Sequence, residues 1–201
     1  MELIAVAHPI EAEPLISRLQ AQQESEERWR FEGGTLIITG MGIAAAAASV
    51  AHHAPGHTHI LNIGFAGSLK RHPIGTVVEV GTCHRHLPQQ IPNHSLGIAR
   101  GAFPPLTLGS GANLLTSDYP IHSQEERTAL SPYDLVDMEG YGVALAAQKA
   151  NIPCTLLKVI SDPCTDGGWE MIHTHLKSLQ TVIADSILSF SDSRKKNPEV
   201  R

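Results

Sequence analysis

This sequence has few cysteines, no long apolar run and no excess of positive charge. Its three cysteines, Cys83, Cys154 and Cys164, are too few and too odd in number for a disulfide framework, so we expect a protein of the reducing cytoplasm. No apolar run could span a bilayer, and Met1 leads into a predicted strand rather than a signal peptide, so we expect no membrane partner. The net charge of −5 gives no reason to expect nucleic acid as a partner.

The common cofactor and nucleophile motifs are also missing. Neither a Gly-Lys-Ser/Thr triplet nor a complete Gly-x-Gly-x-x-Gly pattern occurs, so we expect neither a nucleoside triphosphate nor a dinucleotide as cofactor. Histidine and cysteine cluster at residues 83–86, but no pair has the helical His-Glu-x-x-His form, and we expect no metal. Ser110 in Gly109-Ser110-Gly111 does not form the Gly-x-Ser-x-Gly elbow of esterases.

What is present is an alternation of predicted strands and helices in a chain of ordinary globular composition, 42% hydrophobic and 17% charged. Apolar runs predict strands at 3–7, 34–39, 59–63, 74–80, 112–115, 134–138 and 154–160. Periodicity and alanine content predict helices at 9–19, 43–50, 141–150 and 169–190, with a long loop over 88–105. We therefore expect one domain over residues 1–190, a mixed-to-parallel sheet flanked by helices, and a frayed polar tail over 191–201.

Acidic residues follow three of the predicted strands. Asp162 ends the last apolar run, Asp137-Met138-Glu139 ends another strand, and Glu11-Ala12-Glu13 follows the first. A lone Asp at a strand end is often only a cap for the residues that follow. Three such sites together favour one ligand pocket in which carboxylates divide the acid and base roles.

Two glycine-rich segments also stand at predicted strand ends. They are Gly40-Met41-Gly42, ahead of an alanine-rich helix, and Gly64-Phe65-Ala66-Gly67-Ser68, which we predict to be a loop. Glycine in these places either serves turn geometry or lets the backbone approach a ligand closely.

In this order, the segments resemble the nucleoside phosphorylase and nucleosidase family, and most closely its methylthioadenosine/S-adenosylhomocysteine nucleosidases and futalosine hydrolases. The resemblance runs from Leu3 to about Phe190, and its most specific parts are the Met138-Glu139 and Ser161-Asp162 pairs. It implies a three-layer α/β/α sandwich with a central mixed, twisted sheet. It also implies a homodimer that binds a small-molecule purine nucleoside and needs no cofactor.

The resemblance assigns roles to the acidic residues. Asp162 would be the acid that protonates purine N7, and Glu139 would accept hydrogen bonds from both ribose hydroxyls, with Met138 packed against the ribose. Glu13 would activate the attacking water. Glu11 is its rival, because counting from the strand end does not settle the register. The nucleosidases have Met-Glu-x-Glu at this point and their second Glu is the catalytic one, which favours Glu13.

The remaining predicted substrate-binding residues come from the second glycine-rich segment, from residues 117–121 and from the last strand, and they are Phe65, Ala66, Gly67, Tyr119, Ile121 and Ser161. Residues 117–121 resemble the segment that contacts the base. The family's stacking aromatic falls on Pro120, so stacking would pass to Tyr119 or Phe65, and Ile121 would contact the base through its backbone.

Two cues bear on the substrate. Phosphorylases of 6-oxopurines tend to have Asn at position 162, so Asp162 favours a 6-amino purine. Phe at position 65 is instead similar to what the futalosine hydrolases have there. This resemblance would place the chain in menaquinone biosynthesis. Aminodeoxyfutalosine, an adenine nucleoside with a bulky 5′ group, would satisfy both cues.

The nucleophile is either water or phosphate. In the hexameric phosphorylases an Arg and a Ser hold phosphate at the positions of Asn62 and Phe65, and these two residues supply neither the charge nor the hydroxyl donor. Water is therefore favoured, and we predict hydrolysis of the N-glycosidic bond of a 5′-substituted adenine nucleoside. A purine nucleoside phosphorylase and a non-catalytic nucleoside-binding protein remain the alternatives.

Overall fold

The computed structural model describes residues 1–87 and 103–196, with side chains to residue 190. Most of the loop predicted over residues 88–105, and residues 197–201 of the predicted tail, lie outside the described residues. The strands are β1 (Glu2–Val6), β2 (Gln22–Ser25), β3 (Arg28–Phe31), β4 (Gly34–Ile38), β5 (His59–Ser68), β6 (Val77–Arg85), β7 (Leu106–Thr107), β8 (Ala112–Thr116), β9 (Leu135–Asp137) and β10 (Cys154–Asp162). The helices are α1 (Pro9–Leu19), α2 (Ile43–His53), α3 (Gln124–Ala129), α4 (Gly140–Ala150) and α5 (Gly168–Lys196).

The first strand shows why the sheet is buried on both faces. Side chains alternate along a strand, so Leu3 and Ala5 point to one face and Ile4 and Val6 to the other, and all four are fully buried. The first pair packs with residues of α2 and α4, and the second with residues of α1 and α5. The predicted three-layer arrangement, with a mixed sheet between helices, is therefore confirmed.

The described strands form one mixed sheet in the order β10-β6-β8-β9-β5-β1-β4-β3-β2, with β7 beside β6. β1 lies parallel to β4 and to β5, and β2 and β3 continue the edge as an antiparallel hairpin. β10 pairs with β5 as well as with β6, so that β5, β9, β8, β6 and β10 close on themselves. This closure brings the ends of β5, β9 and β10 to one place.

The prediction of a loop at residues 64–68 is wrong, because β5 continues to Ser68. Residues 64–67 pair with β10, and residues 67–68 pair with β9. The glycines serve close approach rather than a turn. A Cβ atom on Gly64 would lie 2.8 Å from Glu11 Oε1, and one on Gly67 would overlap Cys164 Sγ. The absence of side chains at Gly64 and Gly67 therefore lets β5 pass close to Glu11 and Cys164.

Element bounds differ from the prediction in the core as well as at the surface. β6 runs over Val77–Arg85 rather than over 74–80, and so includes the buried Cys83. α5 continues to Lys196, so residues 191–196 are helical where the sequence predicts a frayed tail. The short elements β2 and α3 were not predicted, because neither has a buried residue and so neither carries an apolar pattern. None of the helices in the described ranges combines the length and hydropathy that a membrane span needs.

Candidate active site

A cavity of about 270 Å³ opens where β5, β9 and β10 end and where α1 and α5 begin. Its wall contains the predicted acid, Asp162, and all of the predicted substrate-binding residues, namely Phe65, Ala66, Gly67, Tyr119, Ile121, Met138, Glu139 and Ser161. It also contains Glu11, but Glu13 is not part of it. The three acidic sites that follow predicted strands therefore meet in one cavity.

The first turn of α1 directs Glu11 into this cavity. The helix begins after its capping residue His8, and the Glu11 side chain turns back toward β1. Its Oε2 accepts hydrogen bonds from the Ala7 and His8 N–H groups, at 3.1 Å each. Its Oε1 accepts a third from the Phe65 N–H at 2.7 Å. Glu13 is exposed. The capped turn therefore places Glu11, and not the expected Glu13, in the cavity wall.

Glu139 stands at the start of α4 with its side chain buried. Its Oε1 accepts a hydrogen bond from the Gly42 N–H at 2.9 Å, which gives the first glycine-rich segment a place in the site. Burial, and then the charge of Asp137, raise the pKa of Glu139 from 4.5 to about 7, although Lys158 and the Gly42 N–H oppose this. Burial also raises the pKa of Glu11. The pKa of Glu139 therefore lies near neutral pH.

Asp162 ends β10 and lies half-buried in the cavity wall. The Ser161 hydroxyl donates to its Oδ2 at 2.7 Å, and the Cys164 N–H donates to its Oδ1 at 2.8 Å. Cys164 has a left-handed φ of 54°, and its thiol occupies the space that Gly67 leaves by having no side chain. Both oxygens of Asp162 are thus held in one orientation by a closely packed wall.

A buried ion pair beside the cavity was not predicted. Lys158 Nζ lies 2.7 Å from Asp137 Oδ2 and donates a hydrogen bond to Asn62 Oδ1 at 2.6 Å. Asp137 lines the cavity, whereas Asn62 and Lys158 do not. The signal in the sequence is a Lys in the middle of an apolar run, since lysine is almost never fully buried without a partner.

Large apolar side chains surround the mouth of the cavity. Trp169 is 67% exposed and Met41 is 65% exposed, and both belong to the cavity wall. Ile172 and Leu176 of α5 continue the apolar surface inward. Tyr119 is 44% exposed. The sequence predicts only that Trp169 starts a helix, because nothing in its neighbours indicates a cavity.

The described part of the cavity wall is acidic. It carries the carboxylates of Glu11, Asp137, Glu139 and Asp162 and contains neither Lys nor Arg. Among the side chains described, over residues 1–87 and 103–190, no three His, Cys, Asp or Glu come together in a group that could hold a metal ion. Such a wall suits a ligand that develops positive charge during reaction.

Comparisons with known proteins agree with this architecture. Residues 111–190 match the sequence model of the Phosphorylase superfamily. No curated protein matches the chain at a significant level.

Three solved structures have a similar fold. A putative 5′-methylthioadenosine/S-adenosylhomocysteine nucleosidase from Francisella philomiragia has a TM-score of 0.76 and 18% identity, over 95% of this chain and 98% of that chain. Futalosine hydrolase from Helicobacter pylori has a TM-score of 0.75 and 19% identity, over 96% and 97%. S-adenosylhomocysteine nucleosidase from Streptococcus pyogenes, in complex with 5-methylthiotubericidin, has a TM-score of 0.78 and 22% identity, over 96% and 97%. The resemblance predicted from the sequence is thus confirmed: the chain has the fold of the nucleoside phosphorylases and nucleosidases, and residues 111–190 match the sequence model of their superfamily.

Proposed function

We propose that the chain is a nucleosidase that hydrolyses the N-glycosidic bond of a 5′-substituted adenine nucleoside. One observation carries the proposal. Glu11, Glu139 and Asp162 line a single cavity, and no Lys or Arg stands among its described lining residues. A wall with several carboxylates and no cation favours a reaction in which the sugar becomes positively charged.

The proposed reaction has one part at the purine base and one at the sugar. Asp162 carries a proton to purine N7 as the C1′–N9 bond breaks and its electron pair moves into the base. The resulting carboxylate keeps the hydrogen bonds from the Ser161 hydroxyl and the Cys164 N–H, which stabilise its negative charge. Protonation at N7 turns adenine into a neutral leaving group.

Water completes the reaction at the sugar. Glu11 accepts a proton from the water as its oxygen bonds to C1′, and the products are free adenine and a free sugar. Burial raises the pKa of Glu11, which makes it a stronger base than an exposed carboxylate. Glu139 accepts hydrogen bonds from the ribose hydroxyls and places negative charge beside the developing cation.

Phosphate is a poor alternative nucleophile in this cavity. Asn62 is buried, its amide N–H₂ donates to the Ala5 carbonyl at 2.9 Å, and its oxygen accepts from Lys158. The Lys158 ammonium group is in turn held by Asp137. Neither residue lines the cavity, so neither offers a donor to an anion there, and the described lining residues include no Lys or Arg that could bind phosphate.

The apolar mouth supports a bulky 5′ substituent. Phe65 lines the cavity, and Trp169 and Met41 present exposed apolar surface at its entrance. An aromatic 5′ group, as in aminodeoxyfutalosine, would stack on such side chains more favourably than a methylthio group would. This substrate type is therefore our preferred one, and it would place the activity in menaquinone biosynthesis.

The same exposed side chains support a homodimer. Trp169 and Met41 stay largely uncovered in one chain, and large exposed apolar side chains that lie together often mark contacts with another protein. A second copy that covers this mouth would also close the cavity from water.

Glu11 and Glu13 provide a matched pair of variants for testing the proposal. They are the same residue type on the same helix, one in the cavity wall and one exposed. Adenine release by E11Q should fall by about a hundredfold or more in kcat/KM, because the base is lost, while E13Q should stay within about twofold of wild type. Loss in E13Q with retention in E11Q would contradict the assignment. Adenine binding without turnover of any purine nucleoside by the wild type would favour a binding protein.

A further inference from the structure

A buried lysine lies at the centre of the polar network beside the site. Lys158 is 1% exposed, and its Nζ lies 2.7 Å from Asp137 Oδ2 and 2.6 Å from Asn62 Oδ1. Asp137 also accepts hydrogen bonds from the Thr116 hydroxyl at 2.7 Å and from the Gly140 N–H at 2.8 Å. The network thus joins β5, β8, β9 and β10 to the start of α4. Every oxygen of the Asp137 carboxylate has a partner, so its geometry is fixed.

The charges around Lys158 are unbalanced. Its ammonium group interacts with the three carboxylates of Asp137, Glu139 and Glu11, which come from β9, the start of α4 and α1. The thiols of Cys83 and Cys154 also face it. The other titratable groups of the cavity wall, beyond this set, are His8, Tyr119, Asp162, Cys164 and His173. One buried cation therefore lies among several buried acidic groups, and its removal would leave the Asp137 carboxyl group without its ion-pair partner.

We propose that Lys158 is a positioning residue of this site, which holds the Asp137 carboxyl group in place beside Glu139 through the buried ion pair and so sets the electrostatic surroundings of Glu11 and Glu139 when the nucleoside binds. The link to turnover rests on the proposed function, but the effect on the carboxylates does not. Lys158 itself does not line the cavity, so it acts through its partners.

The two members of the ion pair act on Glu139 with opposite sign. The charge of Asp137 raises the pKa of Glu139, whereas that of Lys158 lowers it. Lys158 also lowers the pKa of Glu11. Removal of the lysine charge should therefore raise both pKa values, and removal of the aspartate charge should lower that of Glu139. Loss of packing alone would not produce opposite shifts.

The experiment is a pH titration of ¹³C-carboxyl-labelled glutamate by NMR, with the Glu11 and Glu139 signals assigned from E11Q and E139Q. In K158M both carboxyls should titrate about one pH unit higher than in wild type, and in D137N Glu139 should titrate about one unit lower. The double variant K158M/D137N should return toward wild type. K158R, which keeps the charge, should titrate close to wild type. Should K158M fail to fold, D137N and the double variant, which contains no unpaired charge, still decide the question.

Shifts of equal sign in both single variants, or no shift in either, would overturn the role of Lys158. The acid limb of kcat/KM should move with the NMR titration, to higher pH in K158M and to lower pH in D137N. Opposite NMR shifts in a protein that cleaves no nucleoside would refute the proposed function alone. Nucleoside cleavage without those shifts would refute only the role of Lys158.

Discussion

Ionisation of Glu139 should destabilise the folded protein. Its side chain is 8% exposed, and burial with the neighbouring charge of Asp137 raises its pKa from 4.5 to about 7. A raised pKa means that the folded state holds the proton more tightly than the unfolded state does. This stabilisation is fully present below the unfolded pKa and is lost as the pH rises through about 7.

The magnitude follows from the two pKa values. At about 1.4 kcal/mol per unit, a rise from 4.5 to about 7 corresponds to about 3 kcal/mol, most of which, about 2 kcal/mol or slightly more, falls between pH 5 and pH 8. Gln at this position cannot ionise, so E139Q should lack this loss. Relative to wild type, E139Q should therefore gain about 2 kcal/mol in its free energy of unfolding between pH 5 and pH 8.

Urea denaturation of both proteins at the two pH values measures this difference directly. In thermal unfolding the same gain should appear as a relative rise of about 4–8 °C in Tm, given the size of the chain. E13Q, which removes an exposed carboxylate, is the control and should keep a constant difference from wild type. The reasoning is refuted if the difference between E139Q and wild type is the same at pH 5 and pH 8.

Further predictions concern the acid, the wall and the mouth of the cavity. D162N should bind nucleoside but lose about a hundredfold or more in kcat, since Asn cannot supply the proton, and wild-type turnover would disprove the acid role. G67A should weaken adenine binding because its methyl group would overlap the Cys164 thiol, and G67A/C164A should restore binding in a calorimetric titration. W169A should raise KM roughly three- to tenfold for a nucleoside with an aromatic 5′ group and much less for methylthioadenosine. Sedimentation should show a dimer at micromolar concentration, and monomer throughout would count against the homodimer.

The arrangement of the site could be predicted where it depends on sheet architecture. Acidic residues at the ends of strands converge in an α/β sheet, and so the sequence alone is enough to expect Asp162 and Glu139 in one cavity. The prediction places the start of α1 correctly at Pro9, so the choice between Glu11 and Glu13 depends instead on the direction of each side chain. The Glu11 side chain is turned into the cavity by hydrogen bonds from the backbone N–H groups of Ala7 and Phe65, and the contact with Phe65 joins residues far apart in sequence.

Other features could not be predicted from the sequence because they depend on contacts between residues far apart in the chain. Gly67 looks like part of a loop, yet it lies within β5, where it pairs with Asp162 and Val136, and its missing side chain leaves room for the Cys164 thiol. Lys158 looks like a single polar residue in an apolar run, and only strand pairing places it against Asp137. Trp169 lies at the start of a helix both in the prediction and in the structure. Its position in the cavity wall, however, depends on how α5 packs against the rest of the fold.

The most direct test of the central claim is adenine release by the wild-type protein, with and without phosphate. The substrates are methylthioadenosine, S-adenosylhomocysteine, futalosine and aminodeoxyfutalosine, and each kcat/KM is compared. We expect free adenine and free sugar at the same rate in both conditions, with the highest kcat/KM for aminodeoxyfutalosine. Formation of ribose 1-phosphate only when phosphate is present, or a preference for the 6-oxopurine of futalosine, would contradict the account.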